Sequence, residues 1–506
     1  MGLDLSQFDL LTHYQWAMNS MLPKAPKYLV ILFLFALTAC APAEPQQTPA
    51  RSTSSLQPST AYSPDTSYPE PTQTPMTVSP VETLQQGTPV SSPSPAALPP
   101  TDEQTSPNLQ IDRLQMFDAN TGWAVVYSAP FVRPENSKIL RTTDGIQNWV
   151  DVTPPTSENS SYTRAAFFVD ANTAVVVSSR SSLPASPTVE VIPWRTTDGG
   201  QNWQTGETLP IEQASEFYPS QLFFINPKHG WMLGESDSGM GNMRVHLFET
   251  QNGGMNWGLV YDSANHLSDP DTLWIKGYYP YSAHFTFISE SVGFFSDGRL
   301  FNSLDEGRSW AFHPLDPPAD LPDIDCQGGN CKYLDTVSVP HFSSGQDGVL
   351  IRRAYLNSDV VMDVFVYYPN TLNRLPLPTV QYLYFTHDGG QSWVPKPSPV
   401  KIGTVYFWNV QTGWLLGKSD PDPTTATQLY QTIDGGETWT QVLADCPLPL
   451  GSELQFVDDQ TGYAFYPSTV LDYYKDFDER VNQAPLLFST HDGGRSWVKV
   501  EPQIAP

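Results

Sequence analysis

The side chains best equipped for chemistry in this 506-residue chain are carboxylates, and many of them recur in one frame. Seven segments read TTDGIQNW (142–149), TTDGGQNW (196–203), TQNGGMNW (250–257), SLDEGRSW (303–310), THDGGQSW (386–393), TIDGGETW (432–439) and THDGGRSW (490–497). The consensus is Ser/Thr-x-Asp-x-Gly-x-Ser/Thr/Asn-Trp. A unit that recurs across a whole domain reads as architecture before it reads as chemistry. The Asp, or Asn252 in the third copy, can accept backbone N–H bonds inside a tight turn. The Gly tolerates positive φ at no steric cost, and the Trp brings a large apolar body. Asp144, Asp198, Asn252, Asp305, Asp388, Asp434 and Asp492 are therefore expected to be structural, as are Trp149, Trp203, Trp257, Trp310, Trp393, Trp439 and Trp497. Ile146 stands where the other copies carry Gly, which predicts a turn shifted by one residue.

Outside these segments no pattern specifies a reaction. Asp316, Asp320, Asp323 and Asp325 fall in one stretch, and Asp472, Asp476, Asp478 and Glu479 in another. Oxygen-rich loops can hold calcium, but neither has EF-hand spacing, and both are expected to be solvated charge. GESDSG (234–239) alternates carboxylates and lacks a later Glu. The nine His show no HExxH or HxxxH spacing, GxSxG is absent, and no glycine-rich phosphate loop follows a strand, so neither a metal nor a cofactor is expected. Aromatic-Tyr-Pro triplets recur at 217–219, 278–280, 367–369 and 465–467. Tyr218, Tyr279, Tyr281, Tyr367, Tyr368 and Tyr466 are the candidate binding residues, able to stack on a sugar or anchor a peptide. The alternative is that each Tyr plugs its own loop.

A second motif alternates with the first: an apolar strand, a polar turn, then usually Gly-aromatic and another apolar run. Its copies begin at 114, 165, 221, 284, 341, 405 and 454. One unit is then four strands, A to D. Strand A ends near the Asp or Asn of the turn, strand B starts at Gly-aromatic, strand C runs into the Ser/Thr of the first motif and strand D begins at its Trp. Short strands with regular turn signals mean an all-β repeat. Closing seven four-stranded sheets into a ring protects their edges. The expected fold is a single seven-bladed β-propeller over 108–506. A–B and C–D turns share one face of such a ring, and here both are short. B–C segments (127–138, 178–192, 235–245, 352–380, 418–427, 466–485) and D–A segments (258–283, 311–340, 440–453) are long. They elaborate the opposite face, where binding is expected because variable loops on a rigid scaffold carry function.

Charge narrows the partners. With 26 Lys+Arg against 53 Asp+Glu and a net charge of −27, the chain is unsuited to nucleic acid, which demands clustered cations. At the N-terminus Lys24 and Lys27 precede an apolar run from Tyr28 to Leu37, too short to span a bilayer comfortably. Residues 1–39 read as a signal peptide, with Met21 a more usual start than Met1. Leu37-Thr38-Ala39-Cys40 resembles the bacterial lipobox, which implies cleavage before Cys40 and lipidation of its sulfur; an ordinary signal peptide is the alternative. Residues 41–107 hold 15 Pro among Ser, Thr and Gln, too little apolar surface to offset ordering entropy. Together with Cys40 they are read as a disordered linker over 40–107, reaching about 45 Å as a coil and about 200 Å extended. Export favours oxidation, and Cys326 and Cys331, with four residues between them, are the expected pair, leaving Cys446 as a buried thiol with other pairings open. The product would be a monomeric, membrane-anchored, extracytoplasmic lipoprotein.

The repeated motifs are Asp boxes (BNR repeats) and resemble those of sialidases, the sortilin family and xyloglucanases. Together with the FxDxxxGWAVG-like strands they resemble the photosystem II assembly and stability factor family over essentially the whole propeller. That resemblance implies a non-catalytic, partner-binding role, with a protein, peptide or glycan as ligand. The family's Arg-rich binding patch is a point of departure, since this chain has 15 Arg. An exo-sialidase or other glycoside hydrolase is the alternative. A sialidase needs an arginine triad, and the sequence offers Arg133 before Pro134 and Arg374 in Asn-Arg-Leu-Pro, the latter in the fifth blade. A xyloglucanase-like activity would imply a second propeller.

Overall fold

The computed structural model describes residues 109–128, 137–155, 164–181, 188–212, 217–239, 242–266, 275–276, 284–318, 333–356, 380–420, 425–467 and 486–505. The signal peptide, linker, Cys40, Cys326, Cys331, Tyr279, Tyr281, Tyr367 and Tyr368 lie outside them. The described chain forms seven antiparallel sheets, each ordered A–B–C–D, arranged as a seven-bladed propeller. Neighbouring A strands touch one another, so they are innermost.

Strand boundaries fall where side-chain chemistry changes. Strand A ends on an apolar residue: Met116, Phe168, Phe224, Phe287, Phe342, Phe407 or Phe456. Two residues later Asp118, Asp170, Asn226 and Asn409 each accept backbone N–H bonds from the second and third following residues at 2.7–2.9 Å, which closes the A–B turn. Strand B then starts on Gly in six blades and on Ala174 in the second. A methyl on Gly122, Gly230, Gly293, Gly348, Gly413 or Gly462 would lie within 2.8 Å of the side chain ending strand A. Glycine here admits the neighbouring ring rather than an unusual φ.

The next aromatic reaches the following blade. Trp231 stacks on Phe287 at a centroid distance of 3.6 Å and Trp414 on Phe456 at 3.5 Å. Trp123 lies nearly parallel to Phe168 at 5.4 Å. The core is thus spread over the seams between blades, where residues of both neighbours form common apolar clusters. Among the described residues, the seven A-strand edges face inward with no strand beyond them. Side chains answer part of that backbone demand: Gln221 bonds both the N–H and the C=O of Phe285 in the next blade (3.0 and 2.9 Å), and Gln455 does the same for Met116 at 2.8 Å.

The ring closes through the C-terminal strand Gln503–Ala505, which adds in parallel to strand D of blade 1 (Asn148–Asp151). Gln503 N–H bonds the Gln147 carbonyl at 2.9 Å, and Tyr463 of blade 7 donates its hydroxyl to Ala119 O at 2.7 Å.

Several expectations need correction. Two long B–C loops are largely strand: in blade 2 Ala174–Ser181 pairs with Thr188–Thr196, and in blade 3 Gly230–Gly239 pairs with Asn242–Thr250. Half of the D–A segment at 440–453 is strand D of blade 6, Thr440–Cys446. The first Asp-box turn is not shifted: Ile146 itself adopts φ 74° and is fully buried, taking the glycine's place in register. Cys446 is buried in the cluster shared by blades 6 and 7.

Candidate functional site

The Asp boxes form the tips of the C–D hairpins and do so by one hydrogen-bond scheme. The box Thr or Ser donates to the Asp Oδ1, which also accepts the backbone N–H four residues on; for Asp388 these distances are 2.8 and 2.9 Å. The second carboxylate oxygen accepts the side chain at that same position, Ser392 Oγ at 2.6 Å. The Ser392 side-chain and backbone donors stabilise the anion and hold Asp388 down to about 2; Thr438 does the same for Asp434, also to about 2. The residue after each box Asp or Asn252 donates its N–H to a carbonyl of the same blade's A–B turn in all seven blades, at 2.7–3.2 Å. Both turn classes therefore share the plain face. All six box carboxylates accept these bonds from within their own turn.

The opposite end of the A strands holds a different constellation. Counted back from the residue that ends strand A, the positions one step earlier (Gln115, Phe167, Phe223, Thr286, His341, Tyr406, Gln455) are half-buried or exposed on the channel side. Three steps earlier, nearer the long-loop face, stand Arg113 in blade 1, His284 in blade 4 and Glu453 in blade 7. A bulge between Ile111 and Arg113 sets Asp112 next to Arg113 in strand A of blade 1, and a second bulge lies between Pro219 and Gln221 in blade 3. Bulges re-aim side chains where a regular ladder cannot.

These groups perturb one another. His284 and Glu453 keep open surface, yet the ring of blades encloses them, and that enclosure governs their proton affinity. It pulls the His284 imidazole down to about 4, with Arg113 reinforcing. It pushes the Glu453 carboxyl up to about 7, opposed by Arg113 and reinforced by Asp112. Arg113 is anchored by a 2.6 Å bond to the Ala166 carbonyl of blade 2. Across blades 2 and 3 the channel wall is aromatic, with Phe167 and Phe223 centroids 5.8 Å apart. On blades 5 and 6 His341 and Tyr406 pair at 5.5 Å. The channel thus carries a charged arc and an aromatic arc, suited to a ligand with polar and apolar portions.

Two buried polar groups lie higher in blade 3. Ser236 Oγ is 2.8 Å from His246 Nε2, and His246 Nδ1 is 4.0 Å from Asp262 Oδ1. The order resembles a nucleophile–base–acid relay, but Asp262 is held by Arg244 Nε at 2.8 Å, the His–Asp separation exceeds a hydrogen bond, and Ser236 is buried. Facing blade 4, Glu235 is 1 % exposed, and burial raises its carboxyl to about 8, with a hydroxyl bond from Ser220 opposing.

Of the predicted binding tyrosines, Tyr218 is half-buried in strand A of blade 3, opposite Glu235. Tyr466 is 4 % exposed and packs in the blade 6–7 cluster, so its ring fills the core rather than offering itself to a ligand. Arg133 and Arg374 lie outside the described residues. No group of three metal-ligating side chains occurs among the described residues. Asp112, Arg113, His284 and Glu453 were not legible as a set, because they belong to three different copies of a motif defined by its apolar positions. Aligning the A strands on their terminal apolar residue would have brought Arg113, His284 and Glu453 into one row.

Fold and site together define a seven-bladed, four-strand-per-blade propeller with a charged channel mouth. Among solved structures the chain is similar to YCF48 from Cyanidioschyzon merolae, at 15% identity and TM-score 0.40, covering 71% of this chain and 92% of that one. It is similar to YCF48 bound to D1 peptide, at 15% identity and TM-score 0.26, covering 65% and 94%. It is also similar to the Hadza microbial sialidase Hz136, at 12% identity and TM-score 0.35, covering 72% and 64%. No protein-family model matches the chain, and no curated protein does. The architecture rests on the sheet topology.

Proposed function

We propose that this protein is a non-catalytic binding propeller, exported and held at the cell surface by a lipid on Cys40. It receives a protein, peptide or glycan partner at the long-loop end of its channel. The observation that carries this reading is the convergence of Asp112, Arg113, His284 and Glu453 at one end of the A strands, beside an aromatic wall. Such a mouth combines a fixed cation, titratable donors and apolar surface on a rigid ring. One of the similar solved structures is YCF48 bound to D1 peptide, and a peptide is among the partners proposed for this chain. The test is a peptide and glycan array probed with the full-length protein and with Glu453→Gln, Arg113→Gln, Tyr279→Ala and Tyr367→Ala. Loss of at least tenfold in signal for the channel variants is expected. Unchanged binding in all four would overturn the assignment of the face.

One observation favours a glycoside hydrolase as second reading. Glu453 holds its proton near neutrality while Asp112 lies close enough to raise it further, the division of labour a carboxyl pair needs for acid–base chemistry. Hydrolysis of an aryl glycoside by the wild type, abolished in Glu453→Gln, would establish that reading. No turnover across aryl pentosides, hexosides and sialosides would remove it.

A further inference from the structure

Box three departs from the others in a way that coincides with a cavity. It carries Asn252 where the other boxes have Asp, and a cavity of about 470 Å³ opens beside it, at the plain-face rim between blades 2 and 3. In box two, with the same Asn at the fourth following position, Asn202 donates its amide to Asp198 Oδ2 at 2.8 Å. Asn252 has no second carboxylate oxygen to receive such a bond. Asn256 instead donates its amide across the seam to Glu207 of blade 2 at 2.7 Å. The Asn252 Nδ2 finds no acceptor among the described residues and is exposed at the cavity.

The remaining lining sets the ligand class. Glu249 is buried, and its oxygens are already engaged: Oε1 by His229 at 2.8 Å and Gln251 at 3.0 Å, Oε2 by Arg308 at 3.3 Å. A neighbouring Arg195 donates to the Gly253 carbonyl at 2.8 Å. Glu249 is thus compensated, and Glu207, which accepts the neutral Asn256 amide, is the other carboxylate of the lining, so no pair of idle carboxylates awaits a cation. What remains is a mixture of neutral donors and acceptors (the Asn252 and Asn256 amides, the Thr208 hydroxyl) against an apolar lining of Leu209, Pro210 and Trp257. Hydroxyl groups both donate and accept, so a ring bearing several of them matches such a lining, while its C–H face meets the apolar side.

We propose that this rim cavity is a saccharide subsite, taking one neutral pyranose or furanose unit between Glu207, Asn252 and Asn256. It is distinct from the channel mouth, since it lies on the outer strands and at the opposite face. Gly258 permits a clean test: it lines the cavity, its φ is not in the left-handed region, and nothing lies within 4 Å of where its Cβ would stand. Gly258→Trp should therefore fill the cavity without disturbing the fold, which its melting temperature verifies.

The experiment is saturation-transfer NMR on the full-length protein with glucose, galactose, xylose and arabinose, and with lysine methyl ester as a cationic probe. The expected result is transfer to at least one sugar. That transfer should be lost in Gly258→Trp, weakened tenfold or more in Asn256→Ala, and retained in Val498→Ala on blade 7. Absence of transfer to all four sugars would overturn the proposal. So would transfer that survives in the Gly258→Trp variant, or Gly258-dependent transfer to lysine methyl ester alone. Each of these outcomes leaves the channel reading standing, because the array experiment reports on a different face.

Discussion

Ile146 shows how a repeat tolerates an exception at a single residue. A β-branched residue at φ 74° carries a left-handed backbone penalty of about 1–2 kcal/mol. Ile146 survives there because its side chain is fully buried in the seam between blades 7 and 1. Its carbonyl also takes the Trp149 indole N–H at 2.9 Å. Removing a buried aliphatic side chain costs about 2–5 kcal/mol, more than the strain it would relieve. Ile146→Gly is therefore expected to destabilise by roughly 1–3 kcal/mol, read as a lower urea midpoint at unchanged slope. A raised midpoint would show that strain dominates. Glu306 is the second non-glycine exception, at φ 67°, and it is half-exposed. Glu306→Gly should therefore show the opposite sign.

At the scale of the element, the C–D hairpin tip depends on ionised aspartate. The folded pKa values of Asp388 and Asp434 lie near 2, below their unfolded values near 3.8. A depressed carboxylate contributes stability that is present above the unfolded value and lost as pH falls towards the folded one. The hairpin tips should therefore weaken between about pH 4 and pH 2. Asp388→Asn should lower the melting temperature at pH 6 and flatten this part of the acid profile, since an amide does not titrate and its NH2, in place of Oδ2, cannot accept the Ser392 hydroxyl. A profile unaltered by the substitution would show that the tip does not depend on the charge. Box three, with Asn252, already lacks that titration.

At the scale of the whole molecule, one buried acid opposes the boxes. The folded pKa of Glu235, about 8, lies above its unfolded value near 4.5. Its contribution is complete below about pH 4.5 and declines as pH rises through 8, by on the order of a few kcal/mol. Stability should therefore be greatest in the mildly acidic range. Glu235→Gln should raise the melting temperature at pH 8 relative to pH 5, and an unchanged pH slope would contradict this. Ring closure makes a separate demand. Truncation before Gln503 removes the parallel strand and the half-buried Ile504 from the blade 7–1 seam. A loss of about 1–3 kcal/mol in chemical denaturation is expected, and no loss would assign closure to Gln455 and Tyr463 alone.

Much of the fold was written locally. Turn chemistry at Asp118 or Asp388, glycine at Gly230 and period-two burial along strand A act over a few residues, so strand starts and ends could be read from them. The sequence by itself determined the blade number, the strand order and which face is plain. Other features depended on residues far apart in the chain. Tyr466 resembles an exposed loop aromatic in sequence, but packing with Leu486 and Leu448 buries it. The extended hairpins of blades 2 and 3 looked like loops because polar residues such as Ser178, Ser179, Glu235 and Ser236 continue their strands into buried positions. Arg113, His284 and Glu453 acquire their chemistry only because closure of the ring brings three blades around one channel. The rim cavity exists only because Glu207 of one blade meets Asn256 of the next. Tertiary structure alone decided both sites, because local signals specify each blade and only ring closure sets which side chains from different blades share a dielectric environment.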